Sequence, residues 1–229
     1  TCAEAFRAWL QARYRTIDAV NDAWWTAFWS QTFFDWDEIH PYAPAARGLE
    51  LDWKRFVSDQ CLACYRNEAD VLREVTPHVP VTTNTYGRFV DYDGYKWAPH
   101  LDFIAFDSYP QYHAREHDLD TAVETAFTCD YYRGLKDGRP FLLLETTPSS
   151  TNWMPVEKLK RPGVHRLTAL QHIGHGAESV MYFQWRAGRG GCEQYHGAVM
   201  THSDRSDTRV FGEVAEVGAM LEQFDPLLG

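Results

Sequence analysis

Four short apolar runs, each closing on polar or aromatic residues, set the narrowest limit on how this chain folds. They are Val79-Pro80-Val81-Thr82-Thr83-Asn84, Leu101-Asp102-Phe103-Ile104-Ala105-Phe106-Asp107, Pro140-Phe141-Leu142-Leu143-Leu144-Glu145 and Ser179-Val180-Met181-Tyr182-Phe183-Gln184-Trp185. Nearly continuous apolarity, rather than strict alternation, is the mark of strands buried on both faces. Helical patterns fall before, between and after them, over 52–75, 117–135, 164–176 and 207–224, the first carrying Val57, Cys61 and Cys64 on one stripe. Alternating strand and helix predicts an α/β fold with a parallel sheet. The C-terminal strand ends of such a sheet converge on one face, where the following loops carry the chemistry. Here those ends hold Asn84, Asp107-Ser108-Tyr109, Glu145 and Gln184-Trp185-Arg186. A closed (β/α)8 barrel needs eight strands and ~250 residues. Four strands in 229 residues predict part of one. No repeat, low-complexity tract or linker divides the chain, so residues 1–229 are expected to form a single domain.

Charge and composition narrow the partners. Lys plus Arg is 22 and Asp plus Glu is 32, a net charge of −10, which repels nucleic acid and anionic membrane surfaces at long range. No apolar stretch approaches the ~18 residues of a membrane span. At 45% hydrophobic and 24% charged, the chain has globular rather than disordered composition. Its 9 Trp, 12 Tyr and 13 Phe are a surplus, part of which is expected to line a site. The chain opens Thr1-Cys2-Ala3 with no signal-peptide pattern, then enters a helical pattern with Phe6, Trp9, Leu10 and Tyr14. Five scattered cysteines do not form a disulfide framework.

Glu145 is the sharpest chemical signal. It follows a buried apolar run directly and precedes a polar loop ending at Asn152-Trp153. A carboxylate so placed can attack an anomeric carbon or stabilise oxocarbenium-like charge; the competing reading is a structural pairing with an arginine. Glu193 and His196 follow a loop opened by Gly188, Gly190 and Gly191 and are spaced to bind neighbouring hydroxyls of one sugar. Glu-x-x-His is also a metal-ligand spacing on helices, which the glycines disfavour. Flat rings suit the apolar faces of sugars. Trp153, Phe183 and Trp185 stand at strand ends, whereas the crowd at Trp24, Trp25, Phe28, Trp29, Phe33, Phe34 and Trp36 reads mostly as core, with one ring left for a ligand. Cys61-x-x-Cys64 reads as buried thiols rather than zinc or redox chemistry, His172 and His175 as a structural helical pair, and His113 and His117 as loop residues.

The run Ala5-Phe6-Arg7-Ala8-Trp9-Leu10, then Phe28-Trp29-Ser30-Gln31, Asp35-Trp36-Asp37-Glu38-Ile39, Asp52-Trp53-Lys54-Arg55-Phe56, Asp107-Ser108-Tyr109-Pro110, the Glu145…Pro148-Ser149…Asn152-Trp153 stretch and Gln184-Trp185-Arg186 resemble the β-galactosidases of glycoside hydrolase family 42. The resemblance covers nearly the whole chain in the family's order. It implies strands 5 to 8 of a (β/α)8 barrel with their helices, preceded by the helices that follow strand 4. It also implies a retaining mechanism on terminal β-galactosyl residues, with Glu145 as nucleophile and no cofactor for catalysis. Trp29, Trp153 and Phe183 match aromatics around the galactose, and Glu193 and His196 the pair that binds its hydroxyls.

Retention needs a second carboxyl group ~5–5.5 Å from the first. The family carries that acid/base Glu in an Asn-Glu-Tyr stretch, which this sequence does not contain; the resemblance implies that the chain begins beyond it. Cys2 matches the last cysteine of a cluster that holds structural zinc in many relatives. Since such zinc takes four ligands, a structural zinc is expected only in a full-length chain. The family's trimerisation and β domains are likewise not matched, full-length relatives are expected as homotrimers, and the resemblance favours the cytoplasm. The alternatives are an α-L-arabinopyranosidase, or another glycosidase of the same family, and a non-catalytic sugar-binding remnant.

Overall fold

The computed structural model describes residues 1–41, 47–86, 92–112, 118–154, 156 and 158–224. His113 and His117 lie outside them. Contacts divide the chain into two compact units, Thr1–Thr76 with Phe89–Trp97, and Pro77–Arg88 with Ala98–Gly229.

The first unit is helical. Helix α1 spans Cys2–Tyr14, opened by a capping box in which the Thr1 hydroxyl accepts from the Glu4 amide and Glu4 reaches back to the Thr1 amine. Helix α2 spans Ile17–Trp24 and is capped by Thr16. Helix α3 runs Arg47–Val75 and α4 is the short Gly94–Trp97. The predicted spacing of α1 puts Phe6 and Leu10 in a core with Val20, Trp24, Ile39, Leu49 and Phe56, and Trp9 and Tyr14 pack against it. Buried within this apolar cluster, Asp52 accepts from Tyr14 Oη (2.5 Å), Trp24 Nε1 (2.9 Å) and Arg55 Nη1 (3.0 Å).

Two expectations fail in this unit. Cys61 and Cys64 are exposed, not buried. The inward residues of α3 are Leu49, Asp52, Phe56, Ser58, Leu62 and Ala69; at about 100° per residue, Cys61 and Cys64 are turned roughly 100° and 200° from Leu62. The aromatic crowd is also only partly core. Trp24 is buried and Phe33 and Trp36 pack against the core it belongs to, but Trp25, Phe28, Trp29 and Phe34 are exposed.

The second unit is a parallel sheet in the order β1 (Asn84–Tyr86), β2 (Ile104–Asp107), β3 (Phe141–Thr146) and β4 (Ala177–Tyr182). Helix α5 (Asp118–Gly134) connects β2 to β3, α6 (Val164–Gly174) connects β3 to β4, and α7 (Arg209–Phe224) follows. Three of the apolar runs hold a strand within or across them. The run from Val79 only ends in one, for a local reason. Pro80 has no N–H to give a ladder, and the Val81 N–H goes to the Asp102 carboxylate at 2.6 Å. Every residue of β2 is buried. Phe106 stacks on Tyr132 of α5 at 4.2 Å and packs on Phe141 at 5.0 Å, joining sheet to helix layer. The strand register aligns Tyr86 with Asp107, and Asp107 with Glu145 across a bulge at Phe106/Asp107. Chemistry-bearing residues of three neighbouring strands thus stand in one row. The architecture is that of a partial (β/α)8 barrel.

Candidate active site

That row forms the floor of a cleft of about 530 Å³ lined by Tyr86, Asp107, Tyr109, Glu145, Trp153, Phe183 and Glu193. Glu145, half-buried near the end of β3, accepts a hydrogen bond from the Tyr109 hydroxyl at 2.7 Å. Among the described residues its side-chain partner is this phenol rather than an arginine. Burial and the Glu145 charge both raise the Tyr109 pKa, so the phenol stays a donor. Its strand position is fixed from below, where the Ser108 amide donates to the Glu145 carbonyl at 2.9 Å.

Asp107 adds a second carboxyl group. It is 8% exposed, its Oδ2 accepts from Asn84 Nδ2 at 2.6 Å, and its Oδ1 has no hydrogen-bond partner among the described residues. Burial, with the Glu145 charge adding to it and the Asn84 bond opposing, raises its pKa to about 6.

The aromatic wall is built around an imidazole. His196, 2% exposed, lies 4.9 Å from Phe183, 5.1 Å from Trp153 and 5.8 Å from Tyr109 by ring centroids, and Tyr109 meets Trp153 edge-on at 4.9 Å. Burial lowers the His196 pKa, against the opposing pull of Glu193 and Glu145. Its Nδ1 lies 3.2 Å from Asn152 Oδ1, and the Asn152 amide donates to the Cys192 carbonyl at 2.5 Å.

Loop contacts hold this wall. After Phe183, joined to Gln184 by a cis peptide, the chain turns back on itself, with the Val199 and Met200 amides donating to the Gln184 and Trp185 carbonyls at 3.0 and 2.7 Å. The predicted glycine loop makes this return, Gly191 taking φ +88°. At the far end the Gly197 amide donates to the Ser150 carbonyl at 2.9 Å. A Cβ at Gly197 would lie 2.4 Å from Ser149 Oγ and 2.7 Å from Ser150 N and O, so no other residue fits the approach. Beneath, the buried Lys160 ammonium donates to the Thr147 carbonyl at 2.6 Å, its pKa lowered to about 7 by burial.

Residues 1–224 match the model of a protein family described as beta-galactosidase, glycoside hydrolase family 42. The chain belongs to glycoside hydrolase family 42. It is 49% identical over 232 residues to beta-galactosidase BglY of Alicyclobacillus acidocaldarius, covering 100% of this chain and 34% of that protein. It is 45% identical over 238 residues to beta-galactosidase Pbg of Clostridium perfringens, again with 34% of the relative covered. Among solved structures, the beta-galactosidase from Rahnella sp. R3 superposes with a TM-score of 0.94 at 49% identity, over 98% of this chain and 34% of that one. A catalytic mutant of Gan42B, a GH42 beta-galactosidase from G. stearothermophilus, gives 0.92 at 48%, over 100% and 35%. An exo-beta-agarase, at 15% identity and TM-score 0.62, shares the fold alone. The family 42 chain spans about a third of the length of the curated relatives it matches.

Of the residues singled out in the sequence, this family 42 structure brings Glu145, Trp153, Phe183 and Glu193 to one cleft, with His196 packed against Trp153 and Phe183. Trp29 belongs to the helical unit, where it is 81% exposed and stacks on Phe28 at 5.0 Å. Cys2 is exposed in the first turn of α1. Among the described residues no group of three or more metal-ligating side chains forms, there or around Glu193 and His196; one thiol does not fit a four-ligand zinc site. No described helix is long and apolar enough to cross a membrane. Sequence reasoning named the Asp107-Ser108-Tyr109 strand end without giving Asp107 or Tyr109 a role, and it left out Tyr86. The strand-end position was the available signal. The pairing of Tyr109 with Glu145, 36 residues apart, depends on register.

Proposed function

We propose that this chain supplies the nucleophile side of a retaining β-galactosidase site. Glu145 attacks the anomeric carbon of a terminal β-D-galactosyl residue, the glycosidic oxygen leaves, and the sugar is held as an ester of the Glu145 carboxylate until water releases it. The observation that carries this reading is the hydrogen bond from Tyr109 to Glu145 inside an aromatic-walled cleft. It occupies one carboxylate oxygen and leaves the other free to form the bond. Trp153 and Phe183 offer faces to the sugar, and Glu193 and His196 serve its hydroxyls. The general acid is the family's Asn-Glu-Tyr glutamate, which this sequence lacks, so the chain alone does not protonate a poor leaving group.

The reading predicts that the chain alone hydrolyses nitrophenyl-β-galactoside no faster than its Glu145→Gln variant. A dinitrophenyl 2-fluorogalactoside, whose leaving group needs no acid, should add one fluorogalactosyl mass to the chain and none to Glu145→Gln. Turnover by the isolated chain that disappears in Glu145→Gln overturns the missing-acid reading. Equal labelling of both proteins overturns Glu145 as nucleophile.

A further inference from the structure

Asn152 makes two hydrogen bonds whose directions are chemically determined. The Cys192 carbonyl oxygen can only accept, so the Asn152 NH2 faces it at 2.5 Å. The amide oxygen is therefore the atom 3.2 Å from His196 Nδ1, and it too can only accept. The proton of the neutral ring must then stand on Nδ1, leaving Nε2 as a bare acceptor. That nitrogen is buried and has no hydrogen-bond partner among the described residues. The same amide ties the Cys192–His196 stretch to the strand-end loop, one residue from Trp153.

We propose that Asn152 is a positioning residue that fixes His196 in the Nδ1–H tautomer, so that the imidazole meets a sugar hydroxyl as an acceptor through Nε2. The tautomer rests on geometry alone. The sugar hydroxyl rests on the galactosyl reading above. Three carbonyl or carboxylate groups act on the ring besides Asn152: Glu193, Glu145 and the Phe183 backbone carbonyl, each favouring a protonated imidazole. The Phe183 carbonyl acts on the ring beside Asn152, and removing Asn152 leaves it as the remaining carbonyl acceptor for the ring proton.

His172 provides an internal standard. It is fully buried, and its Nδ1 lies 2.7 Å from the Thr168 carbonyl, again an obligate acceptor, so it must give the Nδ1–H signature for the same reason. The test is long-range proton–nitrogen correlation NMR on the nitrogen-15-labelled chain, with the His196 signal assigned by its loss in His196→Gln. The expected result is Nδ1 protonated and Nε2 bare for both histidines. In Asn152→Leu, His196 alone should lose that signature. In Asn152→Asp, which keeps an acceptor for Nδ1–H and loses the donor to Cys192, it should keep it. An unchanged His172 signal certifies that each variant is folded. An Nε2–H tautomer in the unmodified chain, or an unchanged His196 in folded Asn152→Leu, overturns the proposal. Galactose titration then separates the two readings: a shift of His196 Nε2 supports the hydroxyl contact, while an intact tautomer with no shift removes the sugar contact and leaves the positioning role standing.

Discussion

Among the described residues each compact unit buries one aspartate, and the two are handled in opposite ways. Asp52, in the helical unit, accepts from a phenol, an indole and a guanidinium, with Arg13 a further 3.8 Å away. Asp107, at the end of β2, holds one amide of Asn84 and leaves an oxygen unpartnered beside the cleft. A buried charge is tolerated when it is paired and hydrogen-bonded. Asp52 meets that condition and fastens helices together. Asp107 does not, and its carboxyl is held closer to neutrality, with Glu145 as the neighbouring charge. Full satisfaction marks a structural carboxylate, and partial satisfaction marks one kept at a site.

The contrast predicts unequal costs. Asp52→Ala should have the largest effect, destabilising the chain by about 3–5 kcal/mol in urea unfolding at pH 7, because it strands the Tyr14, Trp24 and Arg55 donors. A loss below ~1 kcal/mol would break the comparison at its structural end.

Asp107→Asn should act the other way and depend on pH. A carboxyl group whose pKa rises from 3.8 to about 6 on folding binds more protons in the native state, so its contribution is full below pH ~4 and is lost as pH rises through about 6. The limit is about 3 kcal/mol. The unmodified chain should therefore lose stability between pH 4 and 7 relative to Asp107→Asn, and parallel stability–pH curves for the two would refute the claim.

The thiols give the smallest effect. Cys61→Ser and Cys64→Ser, on the outer side of α3, should each change stability by less than ~0.5 kcal/mol. Both native thiols should react with an aromatic disulfide reagent, while Cys129, fully buried with its thiol pushed up to about 12, stays unreacted until unfolding. Protection of Cys61 and Cys64 in the native chain would show that this face of α3 is covered.

The parallel sheet and the edge that carries the candidate site were legible in sequence because a strand buried on both faces leaves a continuous apolar run, and Glu145 and Phe183 sit where such runs end. The helix from Phe6 to Tyr14 was legible for the matching reason, one apolar stripe at helical spacing. The Val79 run misled because composition does not show that Pro80 and the Asp102 carboxylate remove its ladder donors. Cys61 and Cys64 misled because a thiol's apolarity does not fix which way a long helix is turned. Four of the seven Trp24–Trp36 aromatics misled because ring count does not distinguish a core from an exposed wall. Tyr109, Asp107 and Asn152 acquire their roles from partners 23 to 44 residues away, and such pairings exist only once register and loop paths are set.

The missing side chain at Gly197 has a consequence for how this loop can vary in length. Because backbone meets backbone there without room for a methyl group, the stretch beside His196 acts as a fixed hem, and added residues would displace the imidazole directly. Variation must be absorbed instead at the glycine bend around residues 188–191, where Gly190 and Gly191 have open space around them, so this bend is where natural or engineered lengthening would leave the aromatic wall undisturbed.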